Sequence, residues 1–193
     1  SGLASCTNSR VSPGSSARSW RRESPSAAQA ESGAIPIPRM SAPMASIIRA
    51  ARASIREDLD AAMLRDPAAE TRLDVAVNSP GLHAIWAYRG LHRLWQRPGG
   101  RPAARALATA VRSGTGGEIH PGAQIGRRFF IDHGMGVVIG ATAVVGDDVM
   151  LYHGVTLGGR TLARGTKRHS TVGDRVTIGA GARVLGDIEI GDD

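Results

Sequence analysis

A small or aliphatic side chain recurs at every sixth position through the C-terminal part of the chain. The period runs unbroken for seven residues and resumes after an interruption, and its members are Ile119, Ile125, Ile131, Val137, Ala143, Val149 and Val155, then Val172, Ile178, Val184 and Ile190. A period of six fits neither a half-buried strand nor a helix. It is typical of a hexapeptide solenoid, whereas an irregular glycine-rich domain would not keep phase. The sequence predicts a parallel β-helix of triangular coils over residues 117–193, and we expect the coils to be left-handed.

Composition narrows the classes of protein to consider. The chain has 193 residues, 41% of them apolar, and no apolar run approaches the roughly 18 residues of a membrane span. Of the formal charge of +7, residues 1–45 carry +3, and the remainder has no dense basic run with interleaved aromatic residues. Cys6 is the single cysteine, and no hydrophobic signal core follows the N-terminus. We therefore expect a cytoplasmic protein with no membrane and no nucleic-acid partner.

The residues before the solenoid divide into a leader and a helical region. Residues 1–45 are rich in Ser, Ala, Pro and Arg without apolar periodicity, so we expect a disordered leader. An organellar transit peptide and an artefact of the gene start both remain open for it. From Ser46 the apolar residues recur at three- and four-residue spacings, which predicts an α-helical domain over residues 46–116. The predicted fold class is α+β, a helical region followed by the β-helix.

The six-residue phase breaks at Arg160 and returns at Val172. The segment between them is polar, and a polar loop expelled from a regular coil must lie outside it. Loops on a rigid scaffold often carry binding residues. The chain stops at Asp193 partway through a coil, and because a solenoid needs a terminal cap, we expect the domain to be cut short there.

A carboxylate and an imidazole interrupt the apolar pattern together at Asp132 and His133, next to glycine. Glu118 precedes them by about one coil, so its carboxylate could lie against the imidazole. Such a contact fixes the tautomer and stabilises the imidazolium, as a general base requires. A hydrogen-bonded histidine at the rim of the solenoid explains the same spacing. The residues alone leave both interpretations open.

Metal and nucleophilic chemistry receive less support. Hexapeptide-repeat carbonic anhydrases bind zinc through histidines of neighbouring coils, and their pattern includes two histidines five residues apart. No such pair occurs among His120, His133, His153 and His169. The chain also has no Gly-x-Ser-x-Gly motif, and Cys6 lies in the leader. We predict no metal site and no covalent nucleophile.

Four blocks of sequence resemble the serine acetyltransferases of cysteine biosynthesis. They are EIHPGAQIGRRFFIDHGMGVVIGATAVVGDDV (118–149), VTLGG (155–159), KRH (167–169) and VTIGAGARVLGDIEIG (176–191). The resemblance covers about residues 47–193 and includes RDP (65–67) and AYRGLHRLW (87–95) in the helical region. Two positions depart from it: Arg160, where Thr commonly follows VTLGG, and Ser170, where Pro commonly follows the loop histidine.

The resemblance implies a general base and a set of residues that bind serine. His133 would be the base, with Glu118 as its carboxylate partner. The ammonium or hydroxyl group of serine would be held by Asp66 and Asp132. The serine carboxylate would be held by Arg168 and His169, reaching in from the neighbouring subunit.

The resemblance also implies a groove for acetyl-CoA, which is a co-substrate and not a permanently bound cofactor. Gly159, Ala180 and Ala182 would line this groove, with Arg183 near the phosphates. The family further implies a homotrimer or a dimer of trimers. It implies a complex with O-acetylserine sulfhydrylase through a C-terminal tail beyond Asp193.

The implied activity is acetyl transfer from acetyl-CoA to the hydroxyl of L-serine, which gives O-acetyl-L-serine and CoA. One alternative is a hexapeptide O-acetyltransferase that acts on a sugar or an antibiotic. The paired charges suited to an amino acid argue against it. The other alternative is a non-catalytic docking subunit for the sulfhydrylase, and the presence of Glu118, Asp132 and His133 argues against that.

Overall fold

The computed structural model describes residues 42–193, with side chains from residue 45 onward. The leader predicted for residues 1–45 lies outside the described residues, except for its last four, which form the first turn of a helix. That helix, α1 (Ala42–Arg65), begins four residues before the start predicted at Ser46. The other described helices are α2 (Arg72–Asn78), α3 (Pro80–Trp95) and α4 (Arg101–Thr115). None of the described helices combines the length and the apolar composition that crossing a bilayer would require.

Beyond α4 the chain forms short strands of two or three residues. In chain order they are β1 (Glu118–Ile119), β2 (Gln124–Ile125), β3 (Phe130–Ile131), β4 (Val138–Ile139), β5 (Val144–Val145), β6 (Met150–Leu151), β7 (Thr156–Gly158), β8 (Thr171–Val172), β9 (Thr177–Ile178), β10 (Arg183–Leu185) and β11 (Glu189–Ile190). Each strand pairs in parallel with the third strand along the chain, which gives the sheets β1-β4-β7-β10, β2-β5-β8-β11 and β3-β6-β9. Three successive strands therefore make one coil, and the predicted parallel β-helix of hexapeptide repeats is confirmed.

The phase of the repeat shifts once inside the run that the sequence shows as unbroken. Ile119 pairs with Ile139, twenty positions on, whereas Ile139 pairs with Leu157, eighteen positions on. The first coil thus contains two extra residues, which lie between β3 and β4. The predicted single phase from Ile119 to Val155 is therefore wrong from Val137 onward.

The shift is invisible in the sequence because each face buries two residues that stand two positions apart. In the first coil the strand residue Ile131 and the preceding Phe129 are both buried, and after the insertion Val137 and Ile139 are both buried. In successive coils these buried positions stack into two columns of side chains. Two added residues move the strand residue from one column to the other. The six-residue period of apolar side chains survives although the strands have moved.

A second insertion leaves the coil between β7 and β8. Val145 pairs with Val172, twenty-seven positions on, so nine residues are added to an eighteen-residue coil. Residues 161–167 are exposed, and the side chain of Leu162 is 95% exposed. We call residues 160–170 the excursion. The exposure of residues 161–167 agrees with the prediction, made from the break at Arg160, that this segment lies outside the coil.

The helices are tied to the β-helix by polar groups at its surface. Asp58 of α1 is fully buried and accepts two hydrogen bonds from Arg89 of α3, at 3.0 and 2.7 Å. Burial raises the pKa of Asp58, and the guanidinium opposes that shift. The Tyr88 hydroxyl donates to the carbonyl oxygen of Ala123 at 2.6 Å, and burial raises the pKa of Tyr88 to about 12. Nη1 of Arg89 also donates to the carbonyl oxygen of Gly126 at 3.3 Å, so Arg89 and Tyr88 together fix α3 against the first coil.

One buried position of the β-helix carries a hydroxyl group. Ser170 lies two residues before Val172, in the column where Ala143 lies one coil earlier, and both are buried. Among the described residues, its Oγ has no hydrogen-bond partner. A buried unpaired hydroxyl destabilises a fold, because it has lost its bonds to water.

Replacing Ser170 by Ala should therefore stabilise the protein. Ser170→Ala is expected to raise the free energy of unfolding by about 1 kcal/mol, measured by urea denaturation, because the unpaired hydroxyl is removed and the column already accepts Ala143. Ser113→Ala is the matched control, because Ser113 Oγ lies on α4 and donates to the Thr109 carbonyl oxygen. A loss of stability in Ser170→Ala would show that the hydroxyl has a partner.

Candidate active site

An open cleft of about 520 Å³ lies between the helices and the first two coils. Its walls come from the end of α1, the junction of α2 with α3, and the segment that follows β3. Among the side chains that line it are Asp66, Asp132, His133 and Tyr152. The structure thus brings three of the predicted site residues, two carboxylates and one imidazole, into one cleft.

His133 lies in the two-residue insertion and is turned outward by it. Its φ is 61°, in the left-handed region that residues with a side chain seldom adopt, and Gly134 follows with φ of 73°. The imidazole is 71% exposed, and its Nε2 lies 3.6 Å from Oδ2 of Asp132. Strained backbone of this kind is common at functional sites. The insertion therefore presents an accessible imidazole beside a carboxylate.

The start of α3 packs directly on the backbone of this insertion. A methyl group added at Gly81 would overlap the carbonyl oxygen of Ile131, and one added at Gly134 would lie 2.9 Å from the Gly81 nitrogen. Only glycine allows this approach at Gly81. The wall of the cleft is consequently held at a fixed distance from His133.

Asp66 reaches the cleft because the end of α1 is anchored to the coils. The preceding Arg65 donates to the carbonyl oxygens of Arg128 and Asp148, at 2.8 and 2.9 Å. Oδ1 of Asp66 accepts a hydrogen bond from the Ala68 amide at 2.8 Å, across the turn that Pro67 imposes. The carboxylate is half-buried at the edge of the cleft.

Glu118 does not occupy the place that the sequence predicted for it. Its Oε2 accepts a hydrogen bond from Nη1 of Arg112 at 2.6 Å, on the side of the coil that faces α4. No hydrogen bond or ion pair among the described residues joins Glu118 to His133. Glu118 is paired with the guanidinium of Arg112 at the end of α4. The carboxylate that lies beside the His133 imidazole is that of Asp132.

Arg168 and His169 lie outside the His133 cleft. His169 is 7% exposed, and its ring packs over Gly140. Burial, followed by the positive charges of Arg168 and Lys167, lowers the pKa of His169. The backbone amide of Arg168 donates to Oγ1 of Thr142 at 2.9 Å. Within one chain, these two residues and the His133 cleft form separate groups.

The residues predicted to line the acetyl-CoA groove lie on neighbouring strands. Gly159 directly follows β7, and a side chain added there would contact His169. Arg183 is in β10, which pairs with β7, and Ala180 and Ala182 lie in the turn before it. Ala180 and Arg183 are exposed, whereas Ala182 is partly buried.

His153 lies beside His133, although its spacing in the sequence indicates no role for it. Its ring meets the ring of His133 edge to face, with 5.6 Å between the ring centres. His153 and Tyr152 follow His133 and Asp132 by twenty positions, which is the length of the enlarged coil. A regular eighteen-residue coil would not place His153 beside His133. Their contact could therefore be predicted only by recognising the two-residue insertion. Across residues 42–193, no three His, Cys, Asp or Glu side chains gather closely enough to hold a metal ion.

Comparison with known proteins places the chain among enzymes of one kind. No protein-family model matches it. A serine acetyltransferase of Helicobacter pylori is 55% identical to it over 135 residues, which are 70% of this chain and 78% of that protein. The chain belongs to the serine acetyltransferase family. A serine acetyltransferase of Mycobacterium tuberculosis is 61% identical over 140 residues, which are 72% of this chain and 60% of that relative's length.

Solved serine acetyltransferases share the fold. Isoform 3 of Entamoeba histolytica, solved in complex with cysteine, matches with a TM-score of 0.72 and 45% identity, over 76% of this chain and 52% of the other. The Neisseria gonorrhoeae enzyme in complex with serine matches with a TM-score of 0.70 and 39% identity, over 74% of this chain and 58% of the other. The likeness to serine acetyltransferases therefore holds for the backbone as well as for the sequence.

The close packing of α3 on the insertion can be tested by substitution. Gly81→Ala is expected to lower the free energy of unfolding by about 1–3 kcal/mol, because the added methyl group must displace α3 from the Ile131 carbonyl. Urea denaturation measures this loss. Gly90→Ala, in the same helix, is the control: a methyl group there meets nothing, so the change should be neutral or stabilising. Equal stability of the two variants would contradict the packing.

Proposed function

We propose that this protein transfers the acetyl group of acetyl-CoA to the hydroxyl of L-serine. The products are O-acetyl-L-serine and CoA, and the reaction is the first step from serine to cysteine. The observation that carries the proposal is the cleft in which His133 lies beside Asp132 and near Asp66, on a chain of the serine acetyltransferase family.

In the proposed reaction His133 is the general base. Its imidazole accepts the proton of the serine hydroxyl as that oxygen attacks the thioester carbon of acetyl-CoA. The resulting tetrahedral oxyanion is stabilised by backbone N–H groups. It collapses with loss of the CoA thiolate, which takes up the proton from the imidazolium. Holding the two substrates together lowers the barrier further.

The charges of the site suit an amino acid. We propose that Asp66 and Asp132 bind the serine ammonium or orient its hydroxyl, since both carboxylates line the His133 cleft. A neutral sugar would leave these two charges without a matching cation. The predicted role of Glu118 as the partner of His133 stays a proposal, and in this structure it would require the carboxylate to leave Arg112.

The other half of the proposed site comes from a second copy of the chain. Arg168 and His169, proposed to bind the serine carboxylate, lie outside the His133 cleft of their own chain. We propose a homotrimer or a dimer of trimers that joins them to the His133 of a neighbour, with acetyl-CoA along Gly159, Ala180 and Ala182 and its phosphates near Arg183. Left-handed coils, a cytoplasmic location and sulfhydrylase docking through a C-terminal tail are proposed from the family resemblance.

Replacing the base should abolish most of the turnover. His133→Ala is expected to lower kcat by about 10²–10⁴-fold, the usual contribution of a positioned base, in an assay of CoA release from acetyl-CoA and serine. Glu118→Gln should cause a smaller loss, and His120→Ala, outside the cleft, should leave kcat near the wild-type value. Near-normal turnover of a folded His133→Ala variant would exclude this mechanism.

The same assay tests the substrate. With each of the twenty amino acids and a few sugars as acceptors, serine should give the fastest release of CoA. Preference for a sugar would support a different O-acetyltransferase, and the absence of turnover with every acceptor would support a docking subunit.

The shared site predicts an oligomer. Light scattering should give a mass of three or six chains of 20.1 kDa. A stable monomer with full activity would show that one chain holds a complete site.

A further inference from the structure

Thr142 joins the β-helix to both residues that are proposed to bind the serine carboxylate. It lies in the turn between β4 and β5, one coil below the excursion. Its Oγ1 accepts a hydrogen bond from the Arg168 amide at 2.9 Å and lies 2.7 Å from Nδ1 of His169. Its backbone amide also donates to Nδ1, at 3.2 Å. One threonine therefore holds the main chain of Arg168 and the ring of His169.

These contacts determine which ring nitrogen of His169 carries the proton. A backbone N–H can only donate, so Nδ1 must present its lone pair to Thr142. The Thr142 hydroxyl accepts from Arg168 and is free to donate its own proton to the same Nδ1. The neutral ring then carries its proton on Nε2. Burial and the neighbouring cations lower the pKa of His169, which favours this neutral form.

The Nε2 edge of His169 faces two glycines, which directly follow β4 and β7. A side chain at Gly140 would overlap Nε2, and one at Gly159 would lie 3.4 Å from it. Gly159 is one of the residues that we propose to line the acetyl-CoA groove. The proton on Nε2 is thus directed to the side of the coil where the substrates are proposed to bind.

The excursion has few other anchors near these two residues. Lys167 holds the C-terminal end of the excursion, since its Nζ donates to the His169 carbonyl oxygen and to Asp187, both at 2.8 Å. Within residues 42–193, Thr142 provides the side-chain bonds that reach Arg168 and His169 from outside the excursion. Loss of its hydroxyl leaves the ring held by one backbone amide.

We propose that Thr142 is a positioning residue for serine: its hydroxyl holds the main chain of Arg168 and, together with its backbone amide, fixes His169 as a donor through Nε2 to the substrate carboxylate. The inference rests on the proposed function, because it takes serine as the ligand of Arg168 and His169. It adds a residue that touches neither substrate and acts through two that do.

Two substitutions separate the hydroxyl of Thr142 from its shape. Thr142→Val keeps the branched side chain without the hydroxyl and should raise the KM for serine about 5- to 50-fold, with kcat and the KM for acetyl-CoA within about twofold of wild type. Thr142→Ser restores the hydroxyl and should restore the KM for serine. Thr109→Val is the control, an exposed residue of α4 whose hydroxyl donates to the Arg105 carbonyl oxygen, and it should behave as wild type. An unchanged KM for serine in Thr142→Val would overturn the proposal, as would an equal loss for both substrates.

Nitrogen-15 NMR of the His169 ring gives a readout that does not depend on activity. Above the pH range in which histidine titrates, the full chain should show Nδ1 without a proton and Nε2 with one. Thr142→Ser and Thr142→Val should both keep that tautomer, because both retain the backbone amide that donates to Nδ1. Thr142→Val should still move the Nδ1 resonance, because the contact with the hydroxyl is lost. A proton on Nδ1 in the wild type would overturn the inference even if the enzyme acetylates serine. If the chain does not acetylate serine, the proposed function fails while the ring spectrum still decides the tautomer.

Discussion

The parallel pairing of each short strand with the strand one coil away is the constraint on which the rest of the structure depends. Strands of two or three residues have too few hydrogen bonds to persist alone, so each one requires its neighbours in the stack. The pairing of Phe130 with Met150 and of Ile131 with Leu151 carries the following residues into register. His133 meets His153 for that reason, and Tyr152 reaches the cleft of Asp132. The pairing of strands in successive coils thus determines which side chains meet in the site.

The helical region supplies the second wall of the site, and buried polar contacts hold it there. Asp58 and Arg89 form an ion pair in which the carboxylate is fully buried. Removing one partner of such a pair costs about 3–5 kcal/mol, because the other charge is left without a partner. With Tyr88 on the Ala123 carbonyl and Arg65 on the coil backbone, this pair fixes Asp66 relative to His133. The cleft is therefore formed by helices on one side and by coils of the β-helix on the other.

Much of this arrangement can be predicted from the sequence, because a six-residue period allows few folds. The period predicts the β-helix, and the break at Arg160 predicts the excursion. The resemblance of motifs predicts that Asp66, Asp132 and His133 act together, and the structure places them in one cleft. The position of Glu118 could not be predicted, because Arg112 belongs to a helix whose packing is absent from a repeat pattern.

His153 and Thr142 escaped prediction for different reasons. The alignment of His153 with His133 requires the length of the coil, which the two buried columns conceal. Thr142 carries no signal of its own, since a threonine in a turn is ordinary. Its importance arises from an excursion that folds back on it from twenty-six positions away.

The two columns of buried side chains allow a β-helix to gain a functional loop without losing its repeat. Because both columns accept aliphatic side chains, two residues can enter a corner while every later repeat keeps a usable pattern. The coil absorbs the change locally, and no compensating substitutions are needed along the remaining turns. The added residues then form a loop of their own, in which His133 has a φ of 61°. Dipeptide insertion at other corners offers a way to build new reactive loops on β-helices without redesigning their cores.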